Sequence, residues 1–227
     1  MTGDTLDRVS GPHADAAVVT AGAPATAAEV GLVALHGRGA TAQGVVNLFA
    51  PATGHGVAVF APDAARSRWF PRPFDAPIEA NEPHLTSAVE CVAAAVERAA
   101  AIGLPPERVV LAGFSQGACV AAEFARRRST RYGAVVVLSG ALPGTDREVE
   151  SEGSGTLDGT PVFLGYGGDD THVGEDRIEA TATVLEGLGG AVTTRRYPDV
   201  GHAVTDDEFD TLRTMLDGVR DGLAGED

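Results

Sequence analysis

Short unbroken apolar runs recur along this chain, and between them apolar positions return every three or four residues. The runs at 16–21, 31–35, 57–61, 108–114, 134–139 and 161–166 predict strands. Several are continuously apolar, as strands covered on both faces must be. The stretch 192–197 alternates only weakly and predicts an edge strand. Leu85, Val89, Val92 and Val96 share one helical face, and so do Ile178, Val184, Leu185 and Leu188, with Gly189-Gly190 as the stop. Near the end, Phe209, Leu212, Met215, Leu216, Val219 and Leu223 form one stripe, and Thr205 with Glu208 spells a capping box at its start. Strands alternating with helices predict an α/β fold: a mostly parallel sheet with helices on both faces. Residues 69–84 and 144–160 lack periodicity and read as loops. Neither is long enough for a domain and no repeat is present, so one domain over 1–227 is expected.

Composition changes this picture in three ways. Aromatics are only 5% of the chain, so the core must be built mostly from Ala, Val and Leu. There are 32 acidic residues against 17 basic ones, every base is Arg, and the net charge is −15. That balance argues against nucleic acid or an anionic membrane as partner, because phosphates would be repelled. It also suits an acidic, solvated surface in concentrated salt, which favours a halophilic source over compositional drift in a GC-rich genome. Finally, Cys91 and Cys119 do not make a disulfide framework and read as small buried hydrophobes. The polar N-terminus does not resemble a signal peptide, and no run approaches the ~18 apolar residues of a membrane span. A soluble, cytoplasmic protein is expected.

The chemistry concentrates in Gly113-Phe114-Ser115-Gln116-Gly117. An apolar strand precedes it and a helical pattern follows. That context is the one a nucleophile elbow needs: a serine on a tight strand-to-helix turn, between glycines that let strand and helix approach. The helix N-terminus favours negative charge developing beside Ser115. A serine hydroxyl needs a base to take its proton, and in this arrangement the partners follow in the order Ser, acid, His. Asp169 and Asp170 follow the strand at 161–166, and His202 lies between the last strand and the last helix. His202 would take the Ser115 proton, with the carboxylate orienting its ring. A second glycine-rich exit, Leu35-His36-Gly37-Arg38-Gly39, ends the second strand. The backbone amides of Arg38 and Gln116 are the expected oxyanion donors. His13, His55 and His84 read as solvated or locally bonded, whereas His172 is close enough to the acid loop to shape the site.

With these residues in hand, the chain resembles the phospholipase/carboxylesterase family of α/β-hydrolases, which includes acyl-protein thioesterases and small bacterial carboxylesterases. The similarity runs from about Gly11 to the C-terminal helix. It takes in Gly11-Pro12-His13, the LHGRGAT stretch from Leu35 to Thr41, Ala61-Pro62-Asp63, Trp69-Phe70-Pro71, the segment from Asn81 to Leu85, the elbow, and Gly201-His202. The family's acid is usually followed by Pro, a variable residue or His, then Val or Ile. Asp170-Thr171-His172-Val173 fits that frame and selects Asp170 over Asp169. Thr171 and Gly174 stand where prolines are common, and Asp63 where many members have Gln. The resemblance implies neither metal nor organic cofactor, and often a homodimer.

The link from 141 to 160 is short and polar, so no large lid is expected. Trp69, Phe70 and Phe74, with His172, are the expected pocket wall. An open site of this kind suits carboxylic esters of short to medium acyl chain as small-molecule substrates. An acyl thioesterase or lysophospholipase with the same triad is the alternative, and a non-catalytic binding protein on this fold is the third.

Overall fold

A computed structural model describes residues 4–6, 8–150 and 154–222. In chain order the elements are β1 (Asp4–Thr5), β2 (Ala17–Gly22), β3 (Val30–Leu35), α1 (Ala42–Phe49), β4 (Val57–Pro62), α2 (Ile78–Asn81), α3 (His84–Ala101), β5 (Val109–Phe114), α4 (Gln116–Arg127), β6 (Ala134–Leu138), α5 (Asp146–Val149), β7 (Pro161–Gly167), α6 (Glu175–Gly187), β8 (Ala191–Tyr197) and α7 (Asp206–Asp221). The strands form one sheet in the order β1-β2-β4-β3-β5-β6-β7-β8. From β4 to β8 every neighbouring pair is parallel; β2 runs antiparallel to β4, and β1 to β2.

Each central strand feeds two cores. Successive side chains in a strand point to opposite faces. Val33, Leu35, Leu111, Val135 and Val137 therefore meet Leu85, Val92, Val120 and Leu185 of α3, α4 and α6 on one side. Leu32, Ala34, Val110, Ala112 and Val136 meet Val45 and Phe49 of α1 and Leu212, Leu216 and Val219 of α7 on the other. This double coverage explains why the central strands read as unbroken apolar runs. β8 is largely exposed at one edge, in keeping with its weak alternation.

Four elements were not legible in the pattern. α1 carries a buried stripe of Ala42, Val45 and Phe49, but Gly44 and the adjacent Val45-Val46 blur its period; the Thr41 side chain caps it by accepting the Gly44 N–H at 3.1 Å. β1 is a two-residue strand inside a polar terminus. The stretches read as loops contain α2 and α5, single turns too short to show periodicity, and the first of those stretches runs into α3 at His84. Leu223, expected in the α7 stripe, lies outside the described residues.

Candidate active site

The β5–α4 turn is set by close packing. A Cβ on Gly117 would come within 2.2 Å of the Leu35 carbonyl oxygen, and one on Gly113 within 2.3 Å of the Gly117 carbonyl oxygen. Only glycine fits at either place. Ser115, between them, is held at φ 56° and ψ −123°, a conformation that disfavours any side chain with a Cβ. Its N–H donates to the Leu138 carbonyl at 2.9 Å, tying the elbow to β6.

The acid and histidine loops are packed together at the next strand end. A Cβ on Gly167 would meet the carbonyl oxygens of Val200 and Gly201 at 2.2 and 2.3 Å. The Asp169 N–H donates to the Val200 carbonyl at 2.9 Å and the Gly168 N–H to Tyr197 at 2.7 Å. These bonds bring Asp170 under His202. His202 Nδ1 and Asp170 Oδ2 are 2.7 Å apart, and His202 Nε2 and Ser115 Oγ 2.8 Å apart. With a carboxylate on one side, Nδ1 carries the proton and donates, leaving Nε2 to accept from the serine hydroxyl. The other Asp170 oxygen accepts the His172 N–H at 2.8 Å. Asp169 is exposed and makes no bond to His202. Burial alone would raise the Asp170 carboxyl, but the hydrogen bonds from His202 and His172 and the two imidazoles outweigh it and hold it below the ordinary aspartate value.

Beside Ser115 lies an open cavity of about 540 Å³. Phe70, Phe74, Arg72 and His172 line it, together with Arg38 and Gln116. Among the described residues, no hydrogen bond occupies the backbone N–H of Arg38 or of Gln116. Both amides are therefore available to an anionic oxygen at the N-terminus of α4. Their side chains do different work. The Gln116 Oε1 accepts the Trp69 N–H at 2.8 Å, and its Nε2 donates to the Phe70 carbonyl at 2.9 Å. Arg38 Nη2 donates to the carbonyls of Phe70 and Pro71 at 2.8 and 2.9 Å. Asn81, fully buried, takes the Arg72 N–H at 2.9 Å and donates to the Pro73 carbonyl at 3.1 Å. The strap over residues 69–74 is thus held through its main chain.

Trp69, expected in the pocket wall, does not line the cavity. Its ring is fully buried between His36 and His13, with centroids 5.1 and 5.7 Å away, and its Nε1–H donates to the His36 carbonyl at 2.8 Å. Packing against the two imidazoles and the bond to His36 hold Trp69 inward, and no pattern in the sequence reports that direction. His36 and His13 are structural. His36 Nδ1 faces the Gly37 carbonyl at 2.8 Å while Nε2 accepts the Ala64 N–H at 3.0 Å, so it is neutral, and burial lowers its proton affinity. Its 3.4 Å approach to Asp63 is then no ion pair. Asp63 instead accepts the Ala42 N–H at 2.9 Å at the start of α1, and it is absent from the cavity lining.

Six lining residues, Arg72, Pro73, Asp75, Cys119, Ser139 and Val173, were not singled out as site residues in the sequence reading. Ser139 is fully buried at φ 49°, and its Oγ has no hydrogen-bond partner among the described residues. The signal was faint: a Ser-Gly pair at the end of β6, where Gly140 must pass Ala118 at a distance a Cβ could not tolerate. Cys119 also lines the cavity; burial pushes its thiol up to about 11, which keeps it protonated and unreactive.

Known proteins resemble this chain in sequence and fold. Residues 13–219 match the family model described as Phospholipase/Carboxylesterase. A phospholipase/carboxylesterase from Dyadobacter fermentans DSM 18053 superposes with a TM-score of 0.82 at 34% identity, covering 88% of this chain and 95% of that one. A Bacillus cereus carboxylesterase shares the fold at 20% identity, with a TM-score of 0.71 over 90% of this chain and 94% of its own. Among curated proteins, acyl-protein thioesterase 1 of Gibberella zeae is 31% identical over 116 residues, 50% of this chain and 49% of that protein. A probable carboxylesterase, SOBER1-like, of Arabidopsis thaliana is 27% identical over 157 residues, 67% of this chain and 59% of its own. The matches thus span about half the length of these curated relatives. With the family model covering most of its length, and a solved member alike in both sequence and fold, the chain belongs to the phospholipase/carboxylesterase family of α/β-hydrolases.

Proposed function

We propose that this protein hydrolyses carboxylic esters of short to medium acyl chain through an acyl-enzyme on Ser115. The observation that carries this reading is the unbroken relay of 2.8 Å from Ser115 Oγ to His202 and 2.7 Å from His202 to Asp170. In the first step Ser115 Oγ attacks the ester carbonyl while His202 Nε2 takes its proton. The amides of Arg38 and Gln116 bind the oxygen as it becomes negative, a contribution worth on the order of 100- to 1000-fold in rate per donor. His202 then returns the proton to the leaving alcohol. A water deprotonated by the same nitrogen releases the acid and restores the hydroxyl. Asp170, ionised throughout, holds the ring and stabilises its cation.

The cavity supports the substrate class. A space of about 540 Å³ bounded by Phe70 and Phe74, open to solvent and with no lid among the described residues, takes a modest acyl group and leaves the alcohol side in solvent. The same openness supports thioester cleavage as the second reading, in line with the relatives named acyl-protein thioesterases. Purified protein assayed on nitrophenyl acetate, butyrate and decanoate, and on an acyl-CoA, separates the two. Faster turnover of the shorter nitrophenyl esters is expected. Ser115→Ala should remove nearly all of it, leaving at most about 10³- to 10⁴-fold over water. Activity that survives Ser115→Ala refutes the mechanism.

A further inference from the structure

We propose that Asp170, His172 and His202 form a zinc-binding site, and that zinc held there switches the enzyme off. The site stands on geometry; the switch rests on the hydrolase reading above. Ligand atoms of the three side chains lie within 4.8 Å of one another. His172 Nδ1 and Asp170 Oδ1 are 3.5 Å apart. That is close to the edge of a tetrahedron around an ion with bonds of about 2.1 Å. Two imidazoles and one carboxylate suit zinc and leave a fourth position for water, whereas magnesium demands an octahedron of oxygens.

His172 is the residue that makes this more than a triad. Its backbone N–H, not its ring, supports Asp170. Among the described residues the ring makes no hydrogen bond; it lies over the His202 ring, centroids 4.5 Å apart, with its side chain 68% exposed. An ion arriving from solvent therefore meets His172 first. The buried thiols do not compete, since burial keeps Cys91 and Cys119 protonated.

Binding requires a change of tautomer and releases no net proton. The proton that His202 Nδ1 shares with Asp170 leaves to solvent while Nε2 takes one up, so the ring stays neutral, the vacated Nδ1 lone pair binds zinc, and Nε2 no longer has a lone pair for the serine proton. At 2.7 Å the Nδ1–Oδ2 gap holds a proton but not an ion. The imidazole must shift to admit zinc, which takes Nε2 out of line with Ser115 Oγ. Without an aligned base the hydroxyl is not activated.

Chelator-stripped enzyme titrated with zinc chloride tests this with two readouts. One is nitrophenyl butyrate hydrolysis; the other is calorimetric titration of zinc into the Ser115→Ala protein, which needs no turnover. We expect one zinc per chain at micromolar concentration, loss of turnover in step with occupancy, and recovery with EDTA. His172→Ala and His172→Gln, each compared with its own metal-free rate, should bind zinc at least about tenfold more weakly. Magnesium at the same concentration should leave the rate unchanged. No calorimetric binding at micromolar zinc, or equal zinc sensitivity in the His172 variants, overturns the proposal. If the metal-free protein cleaves no ester, the switch falls with the hydrolase reading, and zinc binding that depends on His172 still decides the site.

Discussion

Asp170 and Asp169 are adjacent, yet the two carboxylates live in different surroundings. One lies beneath His202 with both oxygens engaged; the other faces solvent. Asp170→Asn should keep the fold but lower kcat by about 10³-fold or more, because the amide cannot hold the imidazole in the tautomer that accepts from serine. Asp169→Asn should stay within about threefold of the parent. Steady-state kinetics on a short ester compares them, and equal losses would contradict the assignment of the acid. Since the folded structure depresses the Asp170 carboxyl, its share of stability is complete above the unfolded aspartate value of about 3.9 and is lost as pH falls through the folded value. At this scale, the elbow was legible, because glycines and a serine at fixed spacing force one turn. Trp69 and Ser139 were not: which way a side chain points from an irregular segment depends on what packs beside it.

Single elements show the same division. The Thr205–Glu208 capping box was readable four residues at a time, and it forms: the Thr205 N–H donates to Glu208 Oε2 at 2.7 Å and the Glu208 N–H to the Thr205 hydroxyl at 3.3 Å. What the box conceals is where it sits. Glu208 is 1% exposed, and its second oxygen is buried beside Gly165 with no hydrogen-bond partner among the described residues. Burial raises its carboxyl above the ordinary glutamate value, although the Thr205 bonds oppose the shift. An acid with a raised folded value binds protons more tightly in the native state, so its ionisation costs stability as pH rises past the unfolded value of about 4.3. Glu208→Gln should therefore gain in melting temperature relative to the parent between pH 4 and pH 7 (about the range of the glutamate titration). A gap that narrows over that interval would contradict the burial argument. On α4, Glu123 is likewise fully buried but engages Arg126 and Arg127 at 2.7 and 2.6 Å, an arrangement that no periodicity reveals.

For the whole molecule, the alternation of strands and helices conveyed the class of fold and the burial of its central strands. The strand order was not legible: consecutive apolar runs do not say that β3 inserts between β4 and β5. The net charge of −15 acts at this scale too. Exposed like charges repel across the surface, and the screening length falls from about 10 Å at 0.1 M salt to about 3 Å at 1 M. Raising potassium chloride over that range should increase the melting temperature; a flat or falling response would mean that the acids are already offset by local pairs such as Arg195–Asp207 and Arg213–Asp210. The strap beside Ser115 carries a different consequence. Arg38, Gln116 and Asn81 grip it by its peptide groups and leave the side chains of Phe70, Arg72 and Phe74 facing the cavity. Anchorage and cavity lining are thereby assigned to separate atoms, so the shape and charge of the cavity wall can be rewritten one side chain at a time while the main chain that carries it stays in place.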